Sequence, residues 1–348
     1  MSNRNLTRAR KVKNDEFYTP KEAVETEVSR YHKPLTGKAI YCNCDDPITS
    51  RFWKYFYRQF GFLKLKQLIA THYNMDGSPS YALIYRGGSD AAPNFDENVE
   101  KVQLKDNGDF RSDECIDFLK QSDVVVTNPP FSLARPFIKQ IFDYHKQFLV
   151  IGTKNWINYK EIFPLFMHNK IWTGVTNVKW FYQPDGSIKK FGNVGWYTNL
   201  PVRKPTDQMV VFEDWDFAPH PMYDEFPAFE VSKVVDIPIP LERTIEVKSD
   251  MLPLCKKVYK DELTALSDNG TTAKINIKRP ILGVPITFMD KYNPSSVITQ
   301  HNLGKEFDIV GEAKHGSDSS FDLFKPTIDG KEKYARILIR VKPNVTSF

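Results

Sequence analysis

Short apolar runs alternate with amphipathic segments over the first 200 residues of the chain. Four of these runs predict strands, at Lys38–Cys44, Lys66–Thr71, Asp123–Thr127 and Phe148–Gly152. The run at 123–127 is β-branched and does not alternate with polar residues, which is typical of the buried centre of a parallel sheet. Strands separated by helices predict an α/β domain with a doubly wound sheet, whose ligands lie at the carboxyl ends of the strands.

Polar residues mark where the helices begin. Thr19-Pro20-Lys21-Glu22 has the pattern of a capping box with proline at the first helical position, and it predicts a helix that runs to about His32. Thr49 or Ser50 can cap the next helix, and Ser112 can cap another. The apolar residues on one face of the three following helices are Phe52, Phe56 and Phe60, then Ile116 and Leu119, then Phe137 and Ile141.

The segments between these elements are less regular. Residues 75–100 are rich in Gly, Ser, Asp and Asn and predict a loop, followed by a weak strand at Val102–Leu104. Tyr159–Asn169 predicts a helix, and Ile171–Val175 with Gly195–Leu200 predicts a closing pair of strands. The α/β domain is therefore expected to end near residue 200.

The last third of the chain has a different pattern. Asn269-Gly270 is a hairpin signal, and it is followed by alternating apolar residues at Ala273, Ile275 and Ile277. Further strands are predicted at Gly283–Phe288, Phe307–Val310 and Ala335–Val341. The pattern indicates a second, mixed α+β region over 201–348.

Charge is distributed unevenly along the 348 residues. Residues 1–200 carry a net charge of +7 and residues 201–348 a net charge of −2. A basic arm precedes the first acid, Asp15, and its cations are Arg4, Arg8, Arg10, Lys11 and Lys13. Such an arm can contact phosphates, although a solvated terminus explains the charge equally well. The acidic, proline-containing stretch 207–250 indicates a connector, or a recognition region that avoids phosphates.

Composition excludes several classes of protein. Mean hydropathy is −0.45, and no apolar run is long enough to cross a bilayer or to form a secretory signal. Four cysteines are too few for a disulfide scaffold, and their spacing shows no metal-binding pair. Cys42 and Cys44 are expected to be core or turn residues. We therefore expect a cytoplasmic protein that uses neither membrane nor metal.

The segment with the clearest chemistry is Asn128-Pro129-Pro130-Phe131, directly after the buried strand at 123–127. Two prolines stiffen a turn at the mouth of the sheet. There the Asn128 side-chain oxygen and the Pro129 carbonyl can accept both hydrogens of an aromatic amino group. They would direct its lone pair at an electrophile and stabilise the positive charge that develops. Phe131 offers a stacking face. A simple strand-ending turn is the alternative.

This turn resembles the NPP[FYW] signature of amino-methyltransferases that use S-adenosylmethionine. DNA adenine, RNA guanine and protein glutamine methyltransferases all carry it. Segments outside the turn resemble the EcoRI-type adenine-specific (N6) DNA methyltransferase family. They are 15–20 (DEFYTP), 41–47 (YCNCDDP), 108–112 (GDFRS), 283–288 (GVPITF) and 334–339 (YARILI). The resemblance implies transfer of a methyl group from S-adenosylmethionine to an adenine rotated out of duplex DNA.

The resemblance also implies roles for individual residues. Asn128, Pro129, Pro130 and Phe131 would hold the adenine. The residues implied for the cofactor are Tyr18, Thr19 and Pro20 at its methionine part, Cys44, Asp45 and Asp46 at the first strand–helix turn, Thr71 after the second strand, and Asp109 and Phe110 at its adenine. Asp45 and Asp46 could instead be acids at a helix start, and Asp109 could be an Asx turn.

The chain departs from the general methyltransferase pattern in two places. No glycine-rich GxG follows the first strand, as is also true of the EcoRI-type family. Thr71-His72 stands where the second strand normally ends in an acid for the ribose hydroxyls.

The resemblance predicts three regions and a macromolecular partner. Residues 1–14 would form the basic arm, 15–200 the catalytic domain that binds S-adenosylmethionine, and 201–348 the target-recognition region. Lys179, Lys189 and Lys190 flank Asp185-Gly186, which predicts a hairpin that enters a DNA groove or is merely solvated. We expect a monomer in a bacterial cell or a phage-infected host, with a companion restriction endonuclease but no stable complex. RNA or protein methylation, and DNA binding without catalysis, are the alternatives.

Overall fold

A computed structural model describes residues 17–44, 46–88, 98–183, 185–205, 220–232, 242–295, 307–311 and 326–342. The chain folds as a mixed α/β structure in two compact units. Unit 1 contains Met1–Ile157 and Thr173–Val202, and unit 2 contains Asn158–Trp172 and Arg203–Phe348. The basic arm and Asp45 lie outside the described residues.

Unit 1 is built on strands, and helices separate some of them from the next strand. The strands are β1 Ala39–Cys42, β2 Gln67–Thr71, β3 Tyr81–Tyr85, β4 Val99–Gln103, β5 Val124–Thr127, β6 Gln147–Thr153, β7 Trp172–Asn177, β8 Trp180–Tyr182, β9 Ile188–Lys190 and β10 Val194–Thr198. The α-helices are Lys21–Val28, His32–Leu35, Arg51–Gln59, Asp113–Gln121 and Ala134–Asp143, and the 3₁₀ turns are Ser29–Tyr31, Phe131–Leu133 and Lys154–Asn158.

Eight of these strands form one large mixed sheet. Its order is β4-β3-β2-β1-β5-β6-β10-β7, and β8 and β9 form a separate hairpin. Strands β2, β1, β5 and β6 are parallel, whereas β3, β4 and β10 run antiparallel to their neighbours. The chain leaves β1 for β2 on one side and later returns to β5 on the other. The carboxyl ends of these three strands therefore meet at one edge of the sheet.

Several local predictions are confirmed. All four residues of β5 are buried between two parallel neighbours, as its β-branched run predicts. Ser50 caps the helix Arg51–Gln59 by accepting from the amides of Phe52 at 3.1 Å and Trp53 at 3.3 Å. Ser112 caps the helix Asp113–Gln121 through the amide of Cys115. Strands β7 and β10 are adjacent, as the predicted closing pair requires.

Three local predictions are wrong. Thr19 does not cap the first helix, which begins at Lys21 with Pro20 as its cap residue and without a side-chain bond. Residues 75–100 are not all loop, because Tyr81–Tyr85 forms β3 against β2. The helix expected over 159–169 is only Phe163–Met167, preceded by a 3₁₀ turn at Lys154–Asn158.

Glu27 is completely buried and fastens the first helix to β7. Its Oε1 accepts from the Tyr31 hydroxyl and the Val175 amide, both at 2.8 Å. Its Oε2 accepts from the amide and the hydroxyl of Thr176, both at 2.7 Å. Four donors thus converge on one carboxylate.

The substitution Glu27→Gln should lower the free energy of unfolding by about 3 kcal/mol, because the new amide nitrogen would face donors instead of accepting from them. Urea denaturation measures this change. Glu25→Gln is the matched control, since Glu25 makes an exposed ion pair with Arg58 at 2.7 Å and should cost less than about 1 kcal/mol. Equal losses in the two variants would contradict the role of Glu27.

The described part of unit 2 forms three smaller sheets. Its strands are β11 Phe229–Glu230, β12 Arg243–Lys248, β13 Leu263–Asp268, β14 Thr272–Ile277, β15 Ile281–Pro285, β16 Phe307–Ile309, β17 Thr327–Ile328, β18 Lys331–Glu332 and β19 Arg336–Val341. The sheet orders are β11-β15-β19-β16, β12-β14-β13 and β17-β18. The α-helices are Phe163–Met167, Leu252–Tyr259 and Phe288–Lys291, and the 3₁₀ turns are Ser249–Met251 and Lys260–Glu262.

The predicted hairpin at Asn269-Gly270 is confirmed. It joins β13 to β14, and Ala273, Ile275 and Ile277 point into the core against the helix Leu252–Tyr259. Strands β15, β16 and β19 lie close to their predicted positions. Among the helices of the described ranges, none is both long and apolar enough to span a membrane.

The acidic stretch of the sequence has a structural role where it is described. Glu230 is buried, and its carboxylate accepts from Arg336 Nε at 3.0 Å, from Arg336 Nη2 at 2.5 Å and from the Tyr223 hydroxyl. Burial by itself would raise the pKa of Glu230, but the bonds and charge of Arg336 outweigh it and lower the pKa. Asp224 accepts from the amides of Asp329 and Gly330 and thereby holds the β17–β18 turn.

Candidate active site

The Asn128-Pro129-Pro130-Phe131 turn begins where β5 ends. Asn128 and Pro129 are buried, and Pro130 and Phe131 are half-buried before the helix Ala134–Asp143. Asn128 Nδ2 donates to the Phe17 carbonyl at 2.8 Å. Because a carbonyl can only accept, this bond fixes which end of the carboxamide is the nitrogen and turns the oxygen the other way.

Four phenylalanines form an aromatic cluster around the Asn128–Phe131 turn. They are Phe17, Phe131, Phe181 and Phe191. Phe131 stacks on Phe17 with ring centroids 6.0 Å apart, and it meets Phe181 and Phe191 edge-on, each at 6.2 Å. The sequence patterns identify only Phe131. Phe17 lies within the DEFYTP segment, but nothing in the sequence shows that Phe181 and Phe191 join it.

The β8–β9 hairpin is bound to the segment that precedes the first helix. Tyr18 and Tyr182 exchange two backbone hydrogen bonds, of 2.9 and 3.0 Å. The predicted cofactor residues Tyr18, Thr19 and Pro20 are therefore adjacent to Phe17, which contacts Asn128 and Phe131. The Thr19 hydroxyl is buried and has no hydrogen-bond partner among the residues that the structure describes.

The first strand–helix turn packs against the end of β5. The Cys44 amide donates to the Thr127 hydroxyl at 3.2 Å, so this candidate lies beside the end of β5. Thr71 is completely buried, and its hydroxyl bonds to the Tyr41 hydroxyl at 3.1 Å and the Asn43 carbonyl at 3.4 Å. The Thr71 side chain is therefore engaged by neighbours within the fold.

Asp46 organises the turn before the helix Arg51–Gln59. Its carboxylate accepts from the Ile48 amide and the Thr49 hydroxyl, both at 3.1 Å. The Tyr81 hydroxyl also donates to it at 3.1 Å, and His72 Nδ1 lies 3.7 Å away. Burial and the Asp46 charge raise the pKa of Tyr81. Asp46 thus stabilises the turn before the helix, whose first amides are capped by Ser50 and not by Asp46.

Gly108, the residue before Asp109, lies against His72, which directly follows β2. A side chain at Gly108, where φ is +80°, would come within 1.8 Å of the His72 carbonyl, so only glycine allows this close approach. The Asp109 carboxylate accepts from the Arg111 amide, Nε and Nη2 at 2.6–2.9 Å. Burial favours a higher pKa for Asp109, but Arg111 outweighs it and lowers the pKa. Phe110 is buried against Phe137.

The three predicted DNA-binding lysines all lie on or beside the β8–β9 hairpin. Lys179, Lys189 and Lys190 are exposed, and no carboxylate of the described residues forms an ion pair with any of them. The predicted hairpin at Asp185-Gly186 is confirmed, since Tyr182 pairs with Ile188 and Trp180 with Lys190. The arm residues Arg4, Arg8, Arg10, Lys11 and Lys13 lie outside the described residues.

The protein-family model described as adenine-specific methyltransferase EcoRI matches residues 5–255 of the chain. The chain is 35% identical to the Type II methyltransferase M.EcoRI of Escherichia coli, over 98% of this chain and 97% of the relative. It is 31% identical to the Type II methyltransferase M.MgeORF184P of Mycoplasma genitalium, over 96% and 98% of the two chains. It is 30% identical to the Type II methyltransferase M.MpnI of Mycoplasma pneumoniae, over 98% and 99%.

No solved structure matches the chain significantly. The family match nevertheless covers well over half of its length, and the three relatives are matched almost from end to end. The chain therefore belongs to the EcoRI family of adenine-specific methyltransferases, and it is a DNA methyltransferase that acts on adenine.

Proposed function

We propose that the carboxyl edge of the unit 1 sheet binds S-adenosylmethionine and an adenine extruded from duplex DNA, and that the Asn128-Pro129-Pro130-Phe131 turn is the catalytic centre. The observation that carries this proposal is the bond from Asn128 Nδ2 to the Phe17 carbonyl. It directs the carboxamide nitrogen at Phe17 and turns the oxygen away from it, the orientation in which that oxygen would accept from an amino group.

The two acceptors of the turn explain how a weak nucleophile can react. Asn128 Oδ1 and the Pro129 carbonyl would each accept one hydrogen of the adenine N6 amino group. The lone pair of N6 is then directed away from the ring, and the positive charge that develops on N6 is stabilised by the same oxygens. N6 becomes acidic once it carries the methyl group, so its proton leaves without a strong base. Holding the reacting atoms in line can contribute up to about 7–11 kcal/mol.

The cofactor assignment rests on the position of the DEFYTP segment and on the topology of the sheet. S-adenosylmethionine would supply a methyl group bonded to a positively charged sulfur. The parallel core β2-β1-β5-β6 has its topological switch point between β1 and β5, where a doubly wound, Rossmann-like sheet binds its ligand. The buried Thr19 hydroxyl offers a polar contact at this edge.

The structure supports some of the predicted cofactor residues more strongly than others. Tyr18, Thr19 and Pro20 would hold the methionine part, because they adjoin Phe17 and the catalytic turn. Asp109 would accept from the adenine amino group through oxygen lone pairs that Arg111 does not use. Cys44 lies at the expected turn, whereas Asp46, Thr71 and Phe110 have structural partners, and their cofactor roles stay predictions.

The burial of the Asn128 amide supports base extrusion. Asn128 is only 9% exposed, so a base that remains stacked in a duplex could not reach it. Extrusion costs a few kcal/mol, which stacking at Phe131 and phosphate contacts would offset.

Residues outside the catalytic domain would select the target sequence. We assign residues 15–200 to catalysis and 201–348 to target recognition, with the arm 1–14 as a clamp. The enzyme would act as a monomer in the cytoplasm of a bacterial cell or a phage-infected host. It would protect DNA from a companion restriction endonuclease without forming a stable complex with it.

Deleting residues 1–13 should weaken DNA binding and flatten its salt dependence. Each phosphate that loses a cation should reduce the slope of log K against log salt by about 0.9. Fluorescence anisotropy on one duplex at several salt concentrations measures both effects. Identical slopes with and without the arm would exclude a phosphate contact by the arm.

Methyl transfer itself tests the proposed function. Purified protein with methyl-labelled S-adenosylmethionine should label duplex DNA, and nucleoside analysis should find the label in N6-methyladenine. Matched reactions with RNA and with protein substrates should remain unlabelled. Label in RNA, in glutamine or in another base would contradict the proposal.

A further inference from the structure

The β8–β9 hairpin has two faces that separate its lysines. Directly opposed residues of an antiparallel pair share a face. Lys189 pairs with Phe181, which is buried in the aromatic cluster, whereas Lys190 pairs with Trp180 and Ile188 pairs with Tyr182. Lys189 therefore extends from the face that packs toward the catalytic turn, and Lys190 from the opposite face.

The ammonium of Lys189 lies over the aromatic cluster. Its Nζ is 4.9 Å from the ring centroid of Phe17 and 5.4 Å from that of Phe191. Both rings contact Phe131, and the carbonyl of Phe17 holds the Asn128 carboxamide. The charge thus stands one ring away from the surface on which the extruded base would stack.

No carboxylate of the described ranges forms an ion pair with this charge. Lys189 forms no ion pair with any residue that the structure describes, and its side chain is exposed. Its neighbours Phe17 and Phe191 are apolar rings that attract a cation but do not satisfy its three donors. An anion that approaches the cluster would meet this ammonium.

We propose that Lys189 binds the phosphate of the extruded nucleotide. This proposal rests on the proposed function, because it needs a base at Phe131. In a nucleotide, one sugar separates the base from the phosphate. In the protein, the Phe17 ring separates the Lys189 ammonium from Phe131. A base stacked on Phe131 would therefore bring its phosphate toward Lys189. Lys189 therefore stabilises the extruded state, whereas Lys190 contacts the backbone of any duplex. The two adjacent lysines have different roles because the hairpin directs them to opposite faces.

Base extrusion and binding can be measured separately. A duplex with 2-aminopurine in place of the target adenine emits more strongly when that base leaves the stack. With Lys189→Met, the emission increase and the single-turnover methylation rate at saturating DNA should each fall about tenfold, while affinity for a duplex without the target site stays within about twofold of wild type. Lys189→Arg should restore most of both signals, since it keeps the charge.

Two comparison variants separate this role from a general loss of charge. Lys190→Met should weaken binding to duplexes with and without the target site by about the same factor. Lys139→Met should behave as wild type, because Lys139 lies on an exposed helix face in an ion pair with Asp143 at 2.6 Å.

The outcomes that overturn the proposal are distinct. If wild type methylates adenine and Lys189→Met keeps the wild-type rate and emission, the Lys189 assignment fails and the proposed function stands. If Lys189→Met and Lys190→Met lose affinity and rate in the same proportions, Lys189 is only a backbone contact. If wild type transfers no methyl group to adenine in the same assay, both proposals fail.

Discussion

Replacing Asn128 with alanine should lower the rate of methyl transfer by about 10²–10³-fold, while S-adenosylmethionine and DNA still bind. Removing one preorganised partner of a developing charge typically has an effect of this size. Alanine removes the oxygen that would accept from N6 and also the nitrogen that donates to the Phe17 carbonyl at 2.8 Å. Pro129 would still offer its carbonyl, so some activity should remain.

A second variant separates the two functions of the carboxamide. Asn128→Asp keeps oxygen acceptors but places a carboxylate oxygen against the Phe17 carbonyl, where Asn128 has a donor. Its rate should fall below that of wild type, because this repulsion turns the group away from its native orientation. Single-turnover kinetics measures the rates, and titrations with S-adenosylmethionine and with duplex DNA serve as folding controls. A rate for Asn128→Ala within twofold of wild type would exclude the assignment.

Replacing Arg336 with methionine should lower the free energy of unfolding of unit 2 by about 3–5 kcal/mol, the usual loss when one partner of a buried ion pair is removed. Glu230 would keep its burial and the Tyr223 hydroxyl, but it would lose both guanidinium bonds, of 3.0 and 2.5 Å. Its carboxylate would then be a charge without a countercharge in the core between β11 and β19.

Denaturant unfolding followed by intrinsic fluorescence measures this loss. Lys342→Met is the matched control, because Lys342 directly follows β19, the strand that carries Arg336, and its ion pair with Asp308 is 3.7 Å long and half-exposed. It should change the free energy of unfolding by less than about 1 kcal/mol. Similar losses in the two variants would mean that the Glu230 pair is no more important than a surface contact.

The parts of the fold that the sequence predicts well are those that depend on local pattern. The β-branched run of β5 can be buried on both faces only in the centre of a parallel sheet, and it lies there. Ser50 and Ser112 cap their helices because a hydroxyl before an amphipathic segment has unsatisfied amides within reach. The position of Asn128 after β5 follows from the same local pattern.

Errors arise where a distant partner determines the structure. Tyr81–Tyr85 lies in a polar, glycine-containing stretch, and only the edge of β2 makes it a strand. Thr19 begins a capping-box sequence but makes no capping bond. Backbone hydrogen bonds between Tyr18 and Tyr182 instead pair the preceding segment with the β8–β9 hairpin. Neither partner can be identified from the segment itself.

The faces of the β8–β9 hairpin show why the site could be predicted only in part. A two-residue turn at Asp185-Gly186 would shift the pairing by one residue from the observed Phe181–Lys189 register and would exchange the two faces. The sequence predicts the hairpin and its basic charge, but it cannot show which lysine faces Phe17. It likewise cannot show that Phe181 and Phe191 surround Phe131.

Sequencing of modified bases first identifies the DNA site that the protein methylates. The most direct test of the central claim is then a crystal structure of the protein with a cofactor analogue and a duplex that contains this site. We predict an extruded adenine whose N6 lies within about 3.2 Å of both Asn128 Oδ1 and the Pro129 carbonyl. The adenine ring should lie against Phe131. A target adenine that stays stacked in the duplex, or whose N6 contacts neither oxygen, would contradict this prediction.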